Sequence, residues 1–169
     1  MKYLLIFAFA INFIIPVNAQ ESTTSDITTY YLIRHAEKDR SDETNSDPDL
    51  NEDGLTRAEN WSKVFEHINF DVVYSTNYNR TIQTAEPTAK EKNLEVQFYN
   101  PRQLYSEEFA EATQGKTVLV VGHSNTTPAF VNAILGEQKH EDIDDNDNSC
   151  LFIVTISGDN KIDQVLKIN

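Results

Sequence analysis

Four residues of this sequence have side chains that could together bind and transfer a phosphoryl group. These residues are Arg34, His35, Arg80 and His123. Each of them lies at or shortly after the end of an apolar run. A neutral imidazole can attack phosphorus and become a covalent phosphohistidine, which splits one difficult substitution into two easier ones. Arginine offers forked N–H donors to the oxygens of a phosphate. The pattern therefore favours phosphoryl transfer, with His35 as the nucleophile.

The overall charge narrows the class of partner. The chain of 169 residues has a formal net charge of -13 at pH 7. Nucleic acids and anionic lipid surfaces select basic proteins, so neither is an expected partner. A pocket that gathers two arginines and two histidines in so acidic a chain needs an anion to offset the repulsion between like charges. We therefore expect a small phosphorylated substrate.

The elements that must position these residues alternate along the chain. Strands are predicted at residues 28–33, 71–74, 94–99, 117–121, 151–156 and 162–168, and helices at residues 54–68, 78–91, 104–113 and 125–135. This alternation predicts an α/β fold, a three-layer α/β/α sandwich with a mostly parallel central sheet. Ligands of such sheets bind at the carboxyl ends of the strands, where the four candidate residues are expected to meet.

Three segments carry a more specific signal. They are residues 31–38 (YLIRHAEK), residues 74–85 (YSTNYNRTIQTA) and residues 121–126 (VGHSNT). In this order they resemble the motifs of the histidine phosphatase superfamily, phosphoglycerate mutase-like branch. The resemblance extends over about residues 28–156. It implies a phosphoglycerate mutase-like fold and a phosphatase that needs no metal and no other cofactor.

The resemblance also implies a role for each candidate. His35 matches the histidine that becomes phosphorylated. Arg34 and Arg80 match the arginines that hold the phosphate. His123 matches the second histidine, which contacts the phosphoryl group and helps to stabilise the transition state.

Two further residues, Lys38 and Asn125, extend the expected binding site. Nearby, the chain departs from the family pattern, because many members have glycine directly after the nucleophilic histidine and this chain has Ala36. Lys38 can replace a polar contact of the family, either to the phosphate or to an acidic group of the substrate. Asn125 follows the second histidine motif and is expected to contact the substrate.

The general acid that protonates the leaving group has several candidates. Relatives often place a glutamate after the third strand, and Glu107 and Glu108 fall in that region, with Glu107 at the better spacing. An exposed acidic helix is the alternative interpretation of that segment. Glu37, two residues from the nucleophile, is another candidate. Without an acid, we expect a preference for good leaving groups such as phosphohistidine, acyl phosphates or aryl phosphates.

The first residues have the layout of a signal peptide. Lys2 precedes an apolar run, and small residues lead to a cleavage site after Ala19. This layout predicts export to the periplasm or out of the cell, with no stable membrane anchor after cleavage. An uncleaved anchor is the alternative. Residues 20–27 are then a flexible lead-in, and residues 28–169 form a single domain.

The sequence is compatible with two other functions. The site could belong to a phosphoglycerate mutase-type phosphotransferase, or to a catalytically weak module that binds phosphorylated ligands.

The acidic residues 141–147 lack the glycine and the closing glutamate of an EF-hand loop, so they predict a solvated loop and no metal site. Such a loop near the mouth of the pocket would repel acidic substrates.

Overall fold

The computed structural model describes residues 27–168, so the predicted signal peptide (residues 1–19) and residues 20–26 of the lead-in lie outside the described residues. The elements in chain order are β1 (Thr28–Arg34), α1 (Glu52–Val64), β2 (Val72–Ser75), α2 (Asn79–Glu91), β3 (Val96–Phe98), α3 (Glu107–Thr113), β4 (Thr117–Gly122), α4 (Thr126–Leu135), β5 (Cys150–Ser157) and β6 (Asn160–Lys167). Each predicted element is present with small shifts of its ends. No helix within residues 27–168 is long and apolar enough to cross a membrane.

The six strands form one sheet in the order β3-β2-β4-β1-β5-β6. Strands β3, β2, β4 and β1 run parallel to one another, whereas β5 is antiparallel to β1 and forms a hairpin with β6. Strand β4 has the sequence TVLVVG and is buried after its first residue, as expected of a central parallel strand covered on both faces. The mostly parallel sheet is therefore confirmed.

The helices cover both faces of the sheet because β1 alternates its side chains between two cores. Tyr30 and Leu32 pack on one face, in a cluster that includes Phe109 of α3 and Phe130 of α4. Ile33 packs on the other face, in a second cluster. That cluster includes Trp61 of α1, Phe65 directly after α1, and Ala85 and Ala89 of α2. The period of two along a strand thus produces the three layers.

Helix α1 begins against the segment that follows β1. The side chain of Asn51 accepts a hydrogen bond from the Gly54 amide at 2.8 Å and caps the helix. A Cβ atom at Gly54 would lie 2.1 Å from the carbonyl oxygen of Glu37. Only glycine allows this approach, so the first turn of α1 supports the backbone just after His35.

Two of the shifts have a visible structural cause. Helix α1 ends at Val64 because the following amides change to i→i−3 bonds, from Glu66 to the Lys63 carbonyl and from Ile68 to the Phe65 carbonyl. Strand β3 is only three residues long, since it pairs with β2 over three positions at the edge of the sheet. Neither difference moves a candidate residue away from the carboxyl ends of the strands.

Candidate active site

The carboxyl ends of β1 and β4 and the first turn of α2 bring the candidate residues around two adjoining cavities. The His123 cavity, of about 350 Å³, has among its lining residues His35, Lys38, Arg80, His123, Asn125 and Asp145. The Arg34 cavity, of about 200 Å³, has among its lining residues Arg34, His35, Glu37, Lys38, Arg40 and Asp145. The structure therefore brings together seven of the residues predicted from the sequence, Glu37 included.

His35 is held in one orientation. Its ring Nδ1 lies 2.7 Å from the carbonyl oxygen of Ala36. A carbonyl can only accept, so Nδ1 carries the proton and Nε2 presents a lone pair. Nε2 makes no hydrogen bond within residues 27–168. The backbone is fixed as well, because the His35 amide donates to Gly122 and its carbonyl accepts from Asn148 at 2.7 Å.

Burial lowers the pKa of His35 to about 3, and the charges of Arg34 and Arg80 act in the same direction. The hydrogen bond to the Ala36 carbonyl opposes this effect but does not outweigh it. The imidazole is therefore neutral near pH 7. A neutral ring with a lone pair on Nε2 is the form that can attack phosphorus.

His123 lies beside His35, with the two ring centroids 5.5 Å apart. Its Nε2 is 2.9 Å from the hydroxyl oxygen of Thr76. Burial and the charge of Arg80 lower the pKa of His123 to about 4. In the unliganded protein this second histidine is therefore also neutral near pH 7.

The proton on His123 can be placed by following the hydroxyl groups behind it. The Thr81 hydroxyl lies 2.9 Å from the carbonyl oxygens of Thr76 and Tyr78, which can only accept its proton. Its oxygen then accepts from the Thr76 hydroxyl at 3.0 Å. This leaves the Thr76 oxygen to accept from Nε2–H of His123. Nδ1 of neutral His123 is therefore free to take up a proton.

Arg34 is almost completely buried, with a side chain only 1% exposed. Its Nη1 donates to the carbonyls of Asp144 and Asp147, at 2.8 and 3.1 Å. Its Nη2 donates to the carbonyl and to the carboxylate of Asp145, at 3.1 and 2.7 Å. The Nε atom is buried and has no partner among the described residues. Arg34 is thus the anchor of the acidic loop as well as a candidate phosphate ligand.

Arg80 has a related arrangement in the first turn of α2. Its guanidinium carbon lies 4.6 Å from the centroid of the Tyr78 ring, and Nη1 contacts Asp47 at 3.4 Å. Its Nε is also buried without a partner in the described chain. Two buried and unpaired N–H donors on residues that line cavities beside His35 call for an acceptor. The oxygens of a phosphate have the required chemistry.

Lys38 and Asn125 lie at the borders of the site. Lys38 lines both cavities, and burial together with the charges of Arg40 and Arg80 lowers its pKa. Asn125 lines the His123 cavity. Its side-chain oxygen Oδ1 accepts a hydrogen bond from the Thr126 amide at 2.9 Å and caps α4. Its contribution is therefore at least structural.

The structure does not bring Glu107 to the site. Glu107 lines a separate groove with Thr28 and Ile156, which lie at the amino end of β1, whereas His35 follows its carboxyl end. Glu108 is an exposed residue of the same helical turn. The spacing along the chain predicts a general acid in this region. However, α3 begins near the amino end of β1, at the opposite end of the strands from His35. Its first turn is the exposed acidic helix end given as the alternative interpretation.

Glu37, another candidate acid, does line the Arg34 cavity. Its two carboxylate oxygens accept from Nε of Arg57, at 2.8 and 3.0 Å. This ion pair ties Glu37 to α1 and commits its carboxylate to accepting hydrogen bonds. The geometry therefore gives Glu37 a positioning role for the segment after His35.

Several residues of the site were missed by sequence reasoning. Asp145 lines both cavities, and Asn148 fixes the carbonyl of His35. Thr76 orients His123, and Thr84 accepts from the amide of Ala36 at 2.9 Å. Thr76 and Thr84 fall within the second motif, so the motif itself was the available signal. Within residues 27–168, no group of three or more His, Cys, Asp or Glu side chains is arranged to ligate a metal ion.

Comparison with known proteins identifies both a sequence family and a fold. Residues 30–100 match the model of the histidine phosphatase superfamily (branch 1). This segment contains the first two motifs, with Arg34, His35 and Arg80. No curated protein matches the chain at a significant level.

Three solved structures illustrate the fold. A protein assigned as the phosphohistidine phosphatase SixA of Agrobacterium tumefaciens is 21% identical, with a TM-score of 0.60 over 83% of this chain and 98% of its own. The phosphoserine phosphatase of Entamoeba histolytica is 14% identical, with a TM-score of 0.61 over 81% and 95%. The phosphoglycerate mutase of Bacillus anthracis is 17% identical, with a TM-score of 0.60 over 86% and 94%.

At these identities the three structures establish the fold, whereas the family signature comes from the sequence match. Both agree with the placement of the first two motifs at the ends of β1 and β2. Residues 30–100 thus match the histidine phosphatase superfamily in sequence, and the chain has a phosphoglycerate mutase-like fold.

Proposed function

We propose that this protein is a phosphatase that hydrolyses phosphate monoesters through a phosphohistidine formed on Nε2 of His35. The observation that carries the proposal is the fixed orientation of the His35 ring. The 2.7 Å bond from Nδ1 to the Ala36 carbonyl leaves Nε2 as the free lone pair. The low pKa of the ring keeps that lone pair available near pH 7.

The proposed reaction has two steps. In the first, Nε2 of His35 forms a bond to phosphorus, the bond from phosphorus to the leaving oxygen breaks, and that oxygen takes up a proton from solvent. In the second, water attacks phosphorus and releases one proton to solvent, the P–N bond breaks, and inorganic phosphate leaves with the original neutral imidazole restored. The unpaired Nε–H groups of Arg34 and Arg80 would donate hydrogen bonds to equatorial phosphoryl oxygens, where negative charge must be stabilised.

His123 supports the first step by its protonation state. A phosphoryl dianion beside it favours the charged imidazolium, so substrate binding would add a proton on Nδ1. The ring could then donate to a phosphoryl oxygen. Because Glu107 lies elsewhere, we expect the enzyme to favour leaving groups that need little protonation.

The decisive experiment compares the mature protein with His35→Ala and with His67→Ala. His67 is an exposed histidine and serves as the matched control. Turnover of p-nitrophenyl phosphate in EDTA should persist in the wild type and in His67→Ala, and it should be lost in His35→Ala. Rapid quenching with labelled substrate should trap an acid-labile, base-stable phosphoenzyme. Equal turnover by His35→Ala would exclude the nucleophile, and loss of all activity in EDTA would exclude the metal-free mechanism.

The same samples separate the alternative functions. Transfer of the label to an added acceptor alcohol in preference to water would indicate a mutase-type phosphotransferase. Tight binding of vanadate without turnover would indicate a module that binds phosphorylated ligands. A metal-free phosphatase predicts neither result.

We also propose that the protein acts outside the cytoplasm. The signal-peptide layout of residues 1–19 supports this, with Lys2 before the apolar run and Ala19 at the cleavage site. Expression with the native leader should yield a mature protein that begins at Gln20. Recovery of the uncleaved chain from the cytoplasmic fraction would contradict the proposal, whereas the uncleaved chain in the membrane fraction would indicate the N-terminal anchor.

A further inference from the structure

Asp145 is the carboxylate common to the two cavities beside His35. Its Oδ1 lies 2.7 Å from Nη2 of Arg34, and its Oδ2 lies 3.1 Å from Nη2 of Arg40. Although it is tied to two arginines, the carboxylate remains 63% exposed. A negative charge is therefore present where the two cavities beside His35 adjoin.

The charges of the two cavities add up to a specific surplus. The lining cations are Arg34, Lys38, Arg40 and Arg80, while His35 and His123 are neutral. Asp145 and Asp47 each offset one of these cations. The negative charge of Glu37 is offset by Arg57, which lines neither cavity.

The remaining surplus is two positive charges, which equals the charge of one phosphomonoester dianion. A bound phosphoryl dianion offsets this surplus, and the proton that His123 would take up on binding is committed to a phosphoryl oxygen. A second anionic group on the same substrate would have no cation left to compensate it, and it would face the exposed carboxylate of Asp145. An ammonium group at that place would instead be attracted.

We propose that Asp145 is a specificity-determining residue that restricts substrates to phosphomonoesters whose leaving group is neutral or cationic. This inference rests on the proposed phosphatase function and names its substrate class. Specificity here comes from repulsion of the wrong substrate as much as from attraction of the right one. It also disfavours phosphoglycerate-type substrates, which carry a carboxylate near the phosphate.

Asp145 selects by its charge and does not supply the proton for the leaving group. Partial burial acts to raise its pKa, but the hydrogen bond from Arg40 and the charge of Arg34 outweigh it and hold the pKa below the usual value. The carboxylate is ionised at any pH at which the phosphate is a dianion. It can therefore repel or attract, but it carries no proton to donate.

The test uses two substrates of similar size whose leaving groups carry opposite charges. Phosphoethanolamine has an ammonium group, and 2-phosphoglycolate has a carboxylate. The ratio of their kcat/KM values is measured for the wild type, Asp145→Asn and the control Asp142→Asn. Asp142 is an exposed residue of the same loop with no ion pair among the described contacts, so its substitution makes the same change in net charge. We expect the preference for phosphoethanolamine to fall about tenfold in Asp145→Asn and to stay unchanged in Asp142→Asn.

A second variant shifts the ratio in the opposite direction. Arg40 is half exposed, so Arg40→Gln removes one cation without emptying a buried site. The surplus falls to one positive charge, and the preference for phosphoethanolamine should rise. An unchanged ratio in both Asp145→Asn and Arg40→Gln, or an equal fall in Asp142→Asn, would overturn the proposal.

Binding separates this inference from the proposed function. Titration with 2-aminoethylphosphonate and phosphonoacetate measures the same charge discrimination without any reaction. Selective binding that depends on Asp145, with no turnover of either ester, would retain the charge selection and remove the phosphatase. Turnover of both esters with no dependence on Asp145 would retain the phosphatase and remove the charge selection.

Discussion

Nε2 of His123 lies 2.9 Å from the hydroxyl oxygen of Thr76, which in turn contacts the hydroxyl of Thr81 at 3.0 Å. Thr76 and Thr81 are completely buried. The order of donors and acceptors in this chain places the proton of neutral His123 on Nε2. The orientation and the tautomer of His123 therefore depend on a threonine that does not itself line either cavity.

Replacement of Thr76 should reduce catalysis through His123. Thr76→Val keeps the shape but removes the acceptor for Nε2–H, so the ring can rotate or change tautomer. We expect kcat to fall about tenfold, because small errors of orientation are costly in catalysis. Thr76→Ser keeps the hydroxyl and should remain close to the wild type. Steady-state kinetics and the ¹⁵N shifts of the His123 ring measure both effects, and a fully active Thr76→Val with an unchanged tautomer would contradict the assignment.

The two lowered histidine pKa values predict a loss of stability in mild acid. The unfolded chain takes up protons as the pH falls below about 6.5, whereas folded His35 and His123 remain neutral down to about 3 and 4. The unfolded state thus binds more protons, so the free energy of unfolding decreases as the pH falls from 6.5 to 4.5. Each histidine contributes up to about 1.4 kcal/mol per pH unit.

Urea unfolding at several pH values between 4.5 and 7 tests this dependence. His35→Asn should have a smaller slope than the wild type, because one of the two neutral buried rings is absent. The exposed-histidine variant His67→Asn should keep the wild-type slope. Identical slopes for all three proteins would show that the buried rings do take up protons.

Arg34→Lys should destabilise the protein. The guanidinium makes four hydrogen bonds to the backbone and carboxylate of residues 144–147, and a single ammonium cannot replace its two-armed geometry. We expect a loss of about 3 kcal/mol, because hydrogen bonds from a buried charged group are lost and their carbonyl acceptors are left unpaired. Arg80→Lys should cost less, because Arg80 is more exposed and its contact with Asp47 is longer. Equal midpoints of urea unfolding for Arg34→Lys and the wild type would contradict this role.

Glu107→Gln should leave the reaction unchanged. The residue lies near the amino end of β1, on the side of the sheet away from His35. Neither kcat for p-nitrophenyl phosphate nor the basic limb of its pH profile should move. A fall in kcat with a shifted basic limb would restore Glu107 as a candidate general acid.

Most of the fold and the centre of the site could be predicted because the relevant signals are local. The apolar run of β4 and its following Gly122-His123 identify a central strand and its carboxyl end without any tertiary information. Arg34 and Arg80 could be placed beside His123 because parallel strands end at the same edge of a sheet. These inferences need only periodicity and chain direction.

The partners of these residues could not be predicted in the same way. The contact between Arg34 and Asp145 joins residues 111 positions apart, and nothing in a solvated acidic run singles out one carboxylate. The error over Glu107 has a related cause. Spacing along the chain says how far a residue is from β3, but not at which end of the sheet the connecting segment begins helix α3.

The anchoring of Arg34 has a consequence for the order of folding. Its hydrogen-bond partners lie 110 to 113 residues further along the chain, so this arginine stays uncompensated until β5 has docked beside β1. Contacts of such long sequence separation are slow to form, because the entropy of closing the loop must be lost first. A ribosome-bound chain that stops before Asp144 has Arg34, His35, Arg80 and His123 but not the segment that holds Arg34 in place. The candidate site should therefore mature late, and activity should appear only after residues 144–147 have been added and β5 has docked beside β1.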